Sequence, residues 1–152
     1  MAARRDLTFE RLDDVMADVD RLLKGHTTLG RWSLGQICNH LSGSFIGSVE
    51  GYGGKAPWLI RQTFGRFMKR KILRSGRMRE GAPLPAKFQP KPGLDDRAEA
   101  EALRAVIGCV TGSRPPSADH PFLGPMAPEE WMTFHRIHAA HHLSFVIPDE
   151  AC

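Results

Sequence analysis

Four histidines fall within eight residues near the end of this chain, in Trp131-Met-Thr-Phe-His135-Arg-Ile-His138-Ala-Ala-His141-His142-Leu-Ser-Phe145-Val146. At about 100° per residue, Trp131, Phe134, His135, His138, His142, Phe145 and Val146 share one arc of roughly 120°. Glu129, Thr133, Arg136 and Ser144 lie opposite. The imidazoles therefore belong to the face that a helix buries. A buried imidazole needs a hydrogen-bond partner or a metal ion, so some other element must bring one to this face. His138 and His142 are four residues apart, the spacing that stacks two ligands on one side of a helix.

The remainder of the chain reads as further helices. Phe9, Leu12, Val15, Met16, Val19, Leu22 and Leu23 recur at three and four, predicting a helix from about Thr8 to Lys24 with Gly25 at its end. Ser33-Leu-Gly-Gln36 is a capping box that opens a second helix, running to about Val49 and stopping in Gly51-Tyr-Gly-Gly54. Pro57 suits the first turn of a third, whose apolar side is Leu59, Ile60, Phe64, Phe67, Met68 and Ile72. Four prolines keep Gly76 to Gly93 irregular, and a loop of that length is often functional. A fourth helix starts near Asp95 or Asp96 and packs through Leu103, Val106, Ile107 and Val110. Ser113 to Pro125 is a second loop. Pro128-Glu129-Glu130 opens the histidine helix. There is no strand alternation, repeat, P-loop or GxGxxG, so the expected fold is all-α, most simply an antiparallel bundle in a single domain spanning 1–152.

Length and composition agree with one soluble globular domain: 152 residues, 41% hydrophobic and 25% charged. No apolar run reaches the roughly 18–20 residues of a membrane span, and the N-terminus has no signal-peptide core. A cytoplasmic location is expected. Cys38, Cys109 and Cys152 form no disulfide framework, and Cys38 shares a face with Leu34, Ile37, Leu41 and Phe45, which makes it a core residue. The net charge of +4 is uneven. Ten lysines and arginines lie between Arg61 and Lys91 against Glu80 alone, and the rest of the chain is net acidic. Such a basic segment is usually a solvated face, though it can attract nucleic acid, an anionic membrane or an acidic ligand.

A zinc-type catalytic site takes three protein ligands and an open position. The candidates for a third ligand are His26, His40, His120 and His135. His40 is the best placed, on the flank of the second helix's apolar stripe beside the small or polar Gln36, Gly43, Ser44 and Gly47. His135 shares the arc of His138 and His142 but is two turns from His142. His141 points about 60° away from His138 and suits a supporting hydrogen bond. His120 lies on a loop that could close over the mouth. Ala139 stands where an HExxH motif has its glutamate, so the helix carries no built-in general base.

The motif Trp32-Ser33-Leu-Gly-Gln-Ile-Cys-Asn-His40-Leu41, followed by His138-x-x-His141-His142, resembles the DinB/YfiT-like superfamily of four-helix-bundle metalloproteins. His120-Pro-Phe-Leu-Gly124, Glu129-Glu-Trp131 and the histidine run further resemble a bacterial branch labelled only as a domain of unknown function. The resemblance covers essentially the whole chain. It implies an antiparallel four-helix bundle with additional helix and loop insertions, and one divalent metal ion, zinc or nickel, held by His40, His138 and His142. Relatives in the superfamily include thiol-dependent S-transferases and isomerases, which implies a metal that activates a small thiol or water. After His142 this chain has Leu143-Ser144, where the common ending of the superfamily is Arg-Gly-Gln.

The expected function is that of a metal-dependent hydrolase or thiol S-transferase acting on a small-molecule substrate, with no nucleic-acid partner and no membrane span; a homodimer is compatible with the chain. The alternative is a non-catalytic protein that docks its basic Pro57–Arg74 surface on nucleic acid or an anionic membrane and keeps its histidines as core.

Overall fold

A computed structural model describes residues 3–149. These residues are mostly helical, with a small two-stranded antiparallel sheet that the sequence pattern did not announce.

Helix α1 (Leu12–Leu22) buries Leu12, Val15, Met16, Val19 and Leu22 along one stripe. It starts later than the Thr8 expected from periodicity. The Asp14 carboxylate accepts a hydrogen bond from the Arg11 backbone N–H at 2.9 Å, which fixes the first turn there. Phe9 is buried from the segment that precedes the helix. After α1 the chain turns at Gly25, at φ 155°, into β1 (His26–Thr28). This strand pairs antiparallel with β2 (Val146–Pro148), with Thr27 opposite Ile147. Each strand has three residues, too few for alternation to show in the sequence.

Helix α2 (Leu34–Glu50) begins at the expected capping box: Ser33 Oγ accepts from the Gln36 N–H, and Gln36 Oε1 accepts from the Ser33 N–H. Helix α5 (Asp96–Thr111) begins where the Asp95 carboxylate accepts from the Ala98 N–H at 2.8 Å. The α2–α5 interface is the most extensive helix contact. It joins Ile37, Leu41 and Phe45 to Leu103, Ile107 and Val110 in a core that also takes α1 and the end of α6 (Pro128–Leu143). Cys38 lies in this core, as expected, while Cys109 is exposed. Cys152 lies outside the described residues.

Between these elements, α3 (Trp58–Ile60) continues through a π-helical turn, Arg61–Gly65, into α4 (Arg66–Ser75). Ile72 of α4 joins Leu123, Met126, Trp131, Phe134 and Ile137 in a second apolar cluster. The first half of α6 thus packs into one cluster and its last turns into the other. The apolar side expected for the third helix is corrected here. Ile72 is buried and Met68 half-buried, but Leu59, Ile60, Phe64 and Phe67 face outward. Gly65 sets that orientation by sitting against the Phe122 carbonyl, where an added Cβ would lie 2.1 Å from the oxygen. Helix α6 ends at Leu143, earlier than expected, so Phe145 and Val146 leave the helical arc; Val146 is buried from β2. Ser144, expected on the polar side, is buried. The stretch after Gly76 is irregular except for a 3-10 turn at Ala86–Phe88. Among the described residues no helix is long and apolar enough to cross a membrane.

Two glycine substitutions test this packing in opposite directions. Gly65→Ala forces a methyl group into the Phe122 carbonyl and should cost about 1–3 kcal/mol. Gly108 sits in the last turn of α5 with open space around it, so Gly108→Ala should stabilise by about 0.4–1 kcal/mol. Thermal melts of the two variants should move apart in sign. A melt of Gly65→Ala at or above the wild type contradicts the close approach.

Candidate metal centre

Helix α2 carries His40 on the flank that meets α6, and α6 carries His138 and His142 one turn apart. The Nε2 atoms of His40 and His142 each lie 3.1 Å from Nε2 of His138. One ligand nitrogen from each of the three residues lies within 4.8 Å of the others, and the group contains no carboxylate or thiolate. The rings are edge-on to one another, with centroids 4.7–5.0 Å apart. His138 is buried, and its neighbours are half-buried.

The surroundings hold the rings in place. His40 Nδ1 lies 3.3 Å from the Phe88 carbonyl oxygen, which can only accept. The proton of neutral His40 therefore sits on Nδ1, and Nε2 presents its lone pair to the cluster. Trp32 stacks on His142 at 5.4 Å and lies tilted beside His40 at 5.1 Å. Phe134 packs beside His138 at 5.4 Å. Burial lowers the pKa of His40, and it lowers those of His138 and His142 well below the ordinary imidazole value, with the neighbouring imidazoles adding to the effect on the last two. All three are neutral near pH 7, the state in which an imidazole can bind a metal.

Protons alone serve this cluster poorly. His138 Nδ1 is buried without a hydrogen-bond partner among the described residues. Placing the His138 proton on Nε2 avoids an orphaned N–H, but that one proton faces two nitrogens at equal distance. A cation satisfies three lone pairs at once. It then leaves the His138 Nδ1–H unpaired, a cost of about 1–3 kcal/mol. Even a micromolar metal site, worth about 8 kcal/mol, exceeds that cost several-fold. Two nitrogens on one tetrahedral zinc are about 3.3 Å apart, given bonds of about 2.0–2.1 Å. The two separations from His138, 3.1 Å each, are close to that value.

The other histidines have separate roles. His26 Nδ1 meets the Leu22 carbonyl at 2.8 Å and its Nε2 faces Asp96 at 3.6 Å, between the end of α1 and the start of α5. His120 Nδ1 accepts from the backbone N–H groups of Phe122 and Leu123, and its ring packs on Tyr52, Trp131 and Phe134. It braces its own turn and stands one ring away from the cluster, since Phe134 packs against both His120 and His138. His135 stacks between Phe45 and Trp131, with Nε2 3.0 Å from Ser48 Oγ. Because Ser48 Oγ donates to the Phe45 carbonyl, it accepts from His135 Nε2–H. His141 Nδ1 accepts from Arg4 at 3.0 Å, so its supporting contact is to the N-terminal segment. Of the small residues beside His40, Gly43 faces open space, but Gly47 seats the ring of Tyr52, whose hydroxyl donates to the Ser44 carbonyl. The Phe88 contact is to backbone and the Arg4 contact joins residues far apart in the chain, so neither gives a signal that sequence reading could use.

The described chain is thus a helical protein with three imidazoles converging from two helices. It belongs to the DUF1569 family, described as a protein of unknown function, which matches residues 1–149. No curated protein and no solved structure matches it.

The buried histidines make stability depend on acidity. Burial, followed by the nearby His120, lowers the His135 pKa to about 3; burial lowers that of His120 to about 4. In the unfolded chain both titrate near the ordinary value of about 6.5. Above that pH neither state is protonated. As pH falls from there towards the folded values, the unfolded state takes up protons first and stability drops. In metal-free protein, His135→Gln should reduce the pH slope of unfolding free energy between pH 6 and 5 by up to about 1.4 kcal/mol per unit. An unchanged slope contradicts a neutral, buried His135.

Proposed function

We propose that the chain is one helical-bundle domain of the DinB/YfiT-like four-helix type and that His40, His138 and His142 hold one divalent metal ion, zinc or nickel, in a metal-dependent enzyme. The observation that carries this reading is the convergence of three neutral imidazoles from α2 and α6, with the Nε2 atoms of His40 and His142 each 3.1 Å from that of His138 and one ligand nitrogen of each residue within 4.8 Å of the others. The order of α1, α2, α5 and α6 around one core supports the bundle. Match to the DUF1569 family over nearly the whole chain supports a single domain.

Bound there, a divalent ion supplies Lewis acidity that lowers the pKa of water or of a small thiol. The protein's own residues set the conditions. Three neutral ligands leave the ion's charge uncompensated, which favours an anionic oxygen or sulfur next to it. The His40 Nδ1–H bond to Phe88 ties the ligand on α2 to the proline-rich loop, so that loop orients the site. Trp32 restricts ring rotation and water access beside His40 and His142. These features support a hydrolase or thiol S-transferase acting on a small molecule.

Elemental analysis of tag-free protein, purified without a metal column, tests the ligand set. About one divalent ion per chain is expected in wild type and in His135→Ala, with loss of at least most of it in His40→Ala and His138→Ala. Equal loss from His135→Ala and His138→Ala sinks the assignment, as does a wild type that takes up neither zinc nor nickel.

A further inference from the structure

The outward face of the helical stretch from Trp58 to Ser75 departs most from an ordinary solvated surface. Trp58 and Leu59 are each 65% exposed, Phe64 55% and Phe67 61%, with Ile60 and Phe122 also exposed. Phe64 and Phe122 meet edge to face at 5.8 Å, which extends the apolar area onto the neighbouring turn. One to two turns further along, the same outward side carries Arg70, Lys71 and Arg74, with Arg66 beside Phe67; all four are exposed. Among the described residues none of these four has an acidic partner within 4.0 Å, although Arg61 and Lys69 do. No aspartate or glutamate occurs between Gly51 and Arg79.

We propose that this face docks on the surface of an anionic lipid bilayer, with Trp58, Leu59, Ile60, Phe64 and Phe67 entering the headgroup–acyl boundary and Arg66, Arg70, Lys71 and Arg74 meeting the lipid phosphates. Tryptophan, phenylalanine and leucine beside unpaired cations on one helix are the chemistry of an interfacial helix. Charge complementarity selects this occupant. A second copy placed symmetrically on the face would bring eight unpaired cations together. A nucleic acid would meet the cations but would leave Leu59 and Ile60, which have no base-stacking surface, without a partner. The bilayer satisfies both halves. The docking is peripheral and independent of the histidine cluster.

The test is co-sedimentation of the full chain with vesicles of phosphatidylcholine alone and of equal parts phosphatidylcholine and phosphatidylserine. Binding is expected to the mixed vesicles and to weaken with salt. A blue shift of tryptophan emission should accompany it and be absent in Trp58→Phe. Phe64→Ser with Phe67→Ser, and separately Arg70→Glu with Lys71→Glu, should each reduce partitioning roughly tenfold or more, without lowering the melting temperature. His138→Ala should bind as the wild type does. Three results overturn the proposal: no sedimentation with mixed vesicles, sedimentation indifferent to the phenylalanine pair, or binding to DNA or RNA or self-association through this face in place of vesicle binding.

Discussion

Two helices meet at His40 and His138 with ring nitrogens 3.1 Å apart, and a third imidazole closes on the same point. At that distance neutral imidazoles have to share protons or a cation, and one proton cannot serve both contacts to His138. Much of the surrounding structure keeps the three rings from separating. The Ser33–Gln36 box fixes where α2 begins, and hence the angle at which His40 leaves it. The broad α2–α5 interface holds α2 from behind. Helix α6 is held at both ends, by the Trp131 cluster and by Leu143 in the main core. The rings therefore meet in a framework that has little freedom to relieve their crowding.

Much of this was legible in the sequence because the signals are local. A serine three residues before a glutamine, an aspartate before a helical pattern and a proline before two glutamates each start a helix through bonds within one turn. His138 and His142 were legible through their spacing, and His40 through its place on the flank of an apolar stripe. What could not be read depends on distant backbone. The carbonyl that orients His40 comes from Phe88, in a loop with no periodicity. The two strands are three residues each, and residues 26–28 pair with residues 146–148, far apart in the chain. Helix α6 ends before the apolar spacing does, because Phe145 and Val146 continue that spacing after the chain has turned towards β2.

The third helix shows a different limit. Its apolar residues fit a helical stripe, and periodicity cannot say whether a stripe faces a core or solvent. Here the Phe122 carbonyl occupies the position against Gly65, and Gly65 and Ile72 take the inner side. The phenylalanines are then left outside, beside arginines that have no acidic partner. One surface segment and one buried cluster thus carry separate chemistry, although α4 packs directly against α6.

Three histidines acting as ligands of one ion would leave a direct spectroscopic signature. X-ray absorption at the zinc edge, on protein loaded with one equivalent of zinc, reads it. A site built from His40, His138 and His142 gives about three imidazole nitrogens at about 2.0–2.1 Å, with the outer-shell scattering of their rings. A shell of oxygens, or no more than one imidazole per zinc, contradicts it and leaves the cluster as a hydrogen-bonded part of the core.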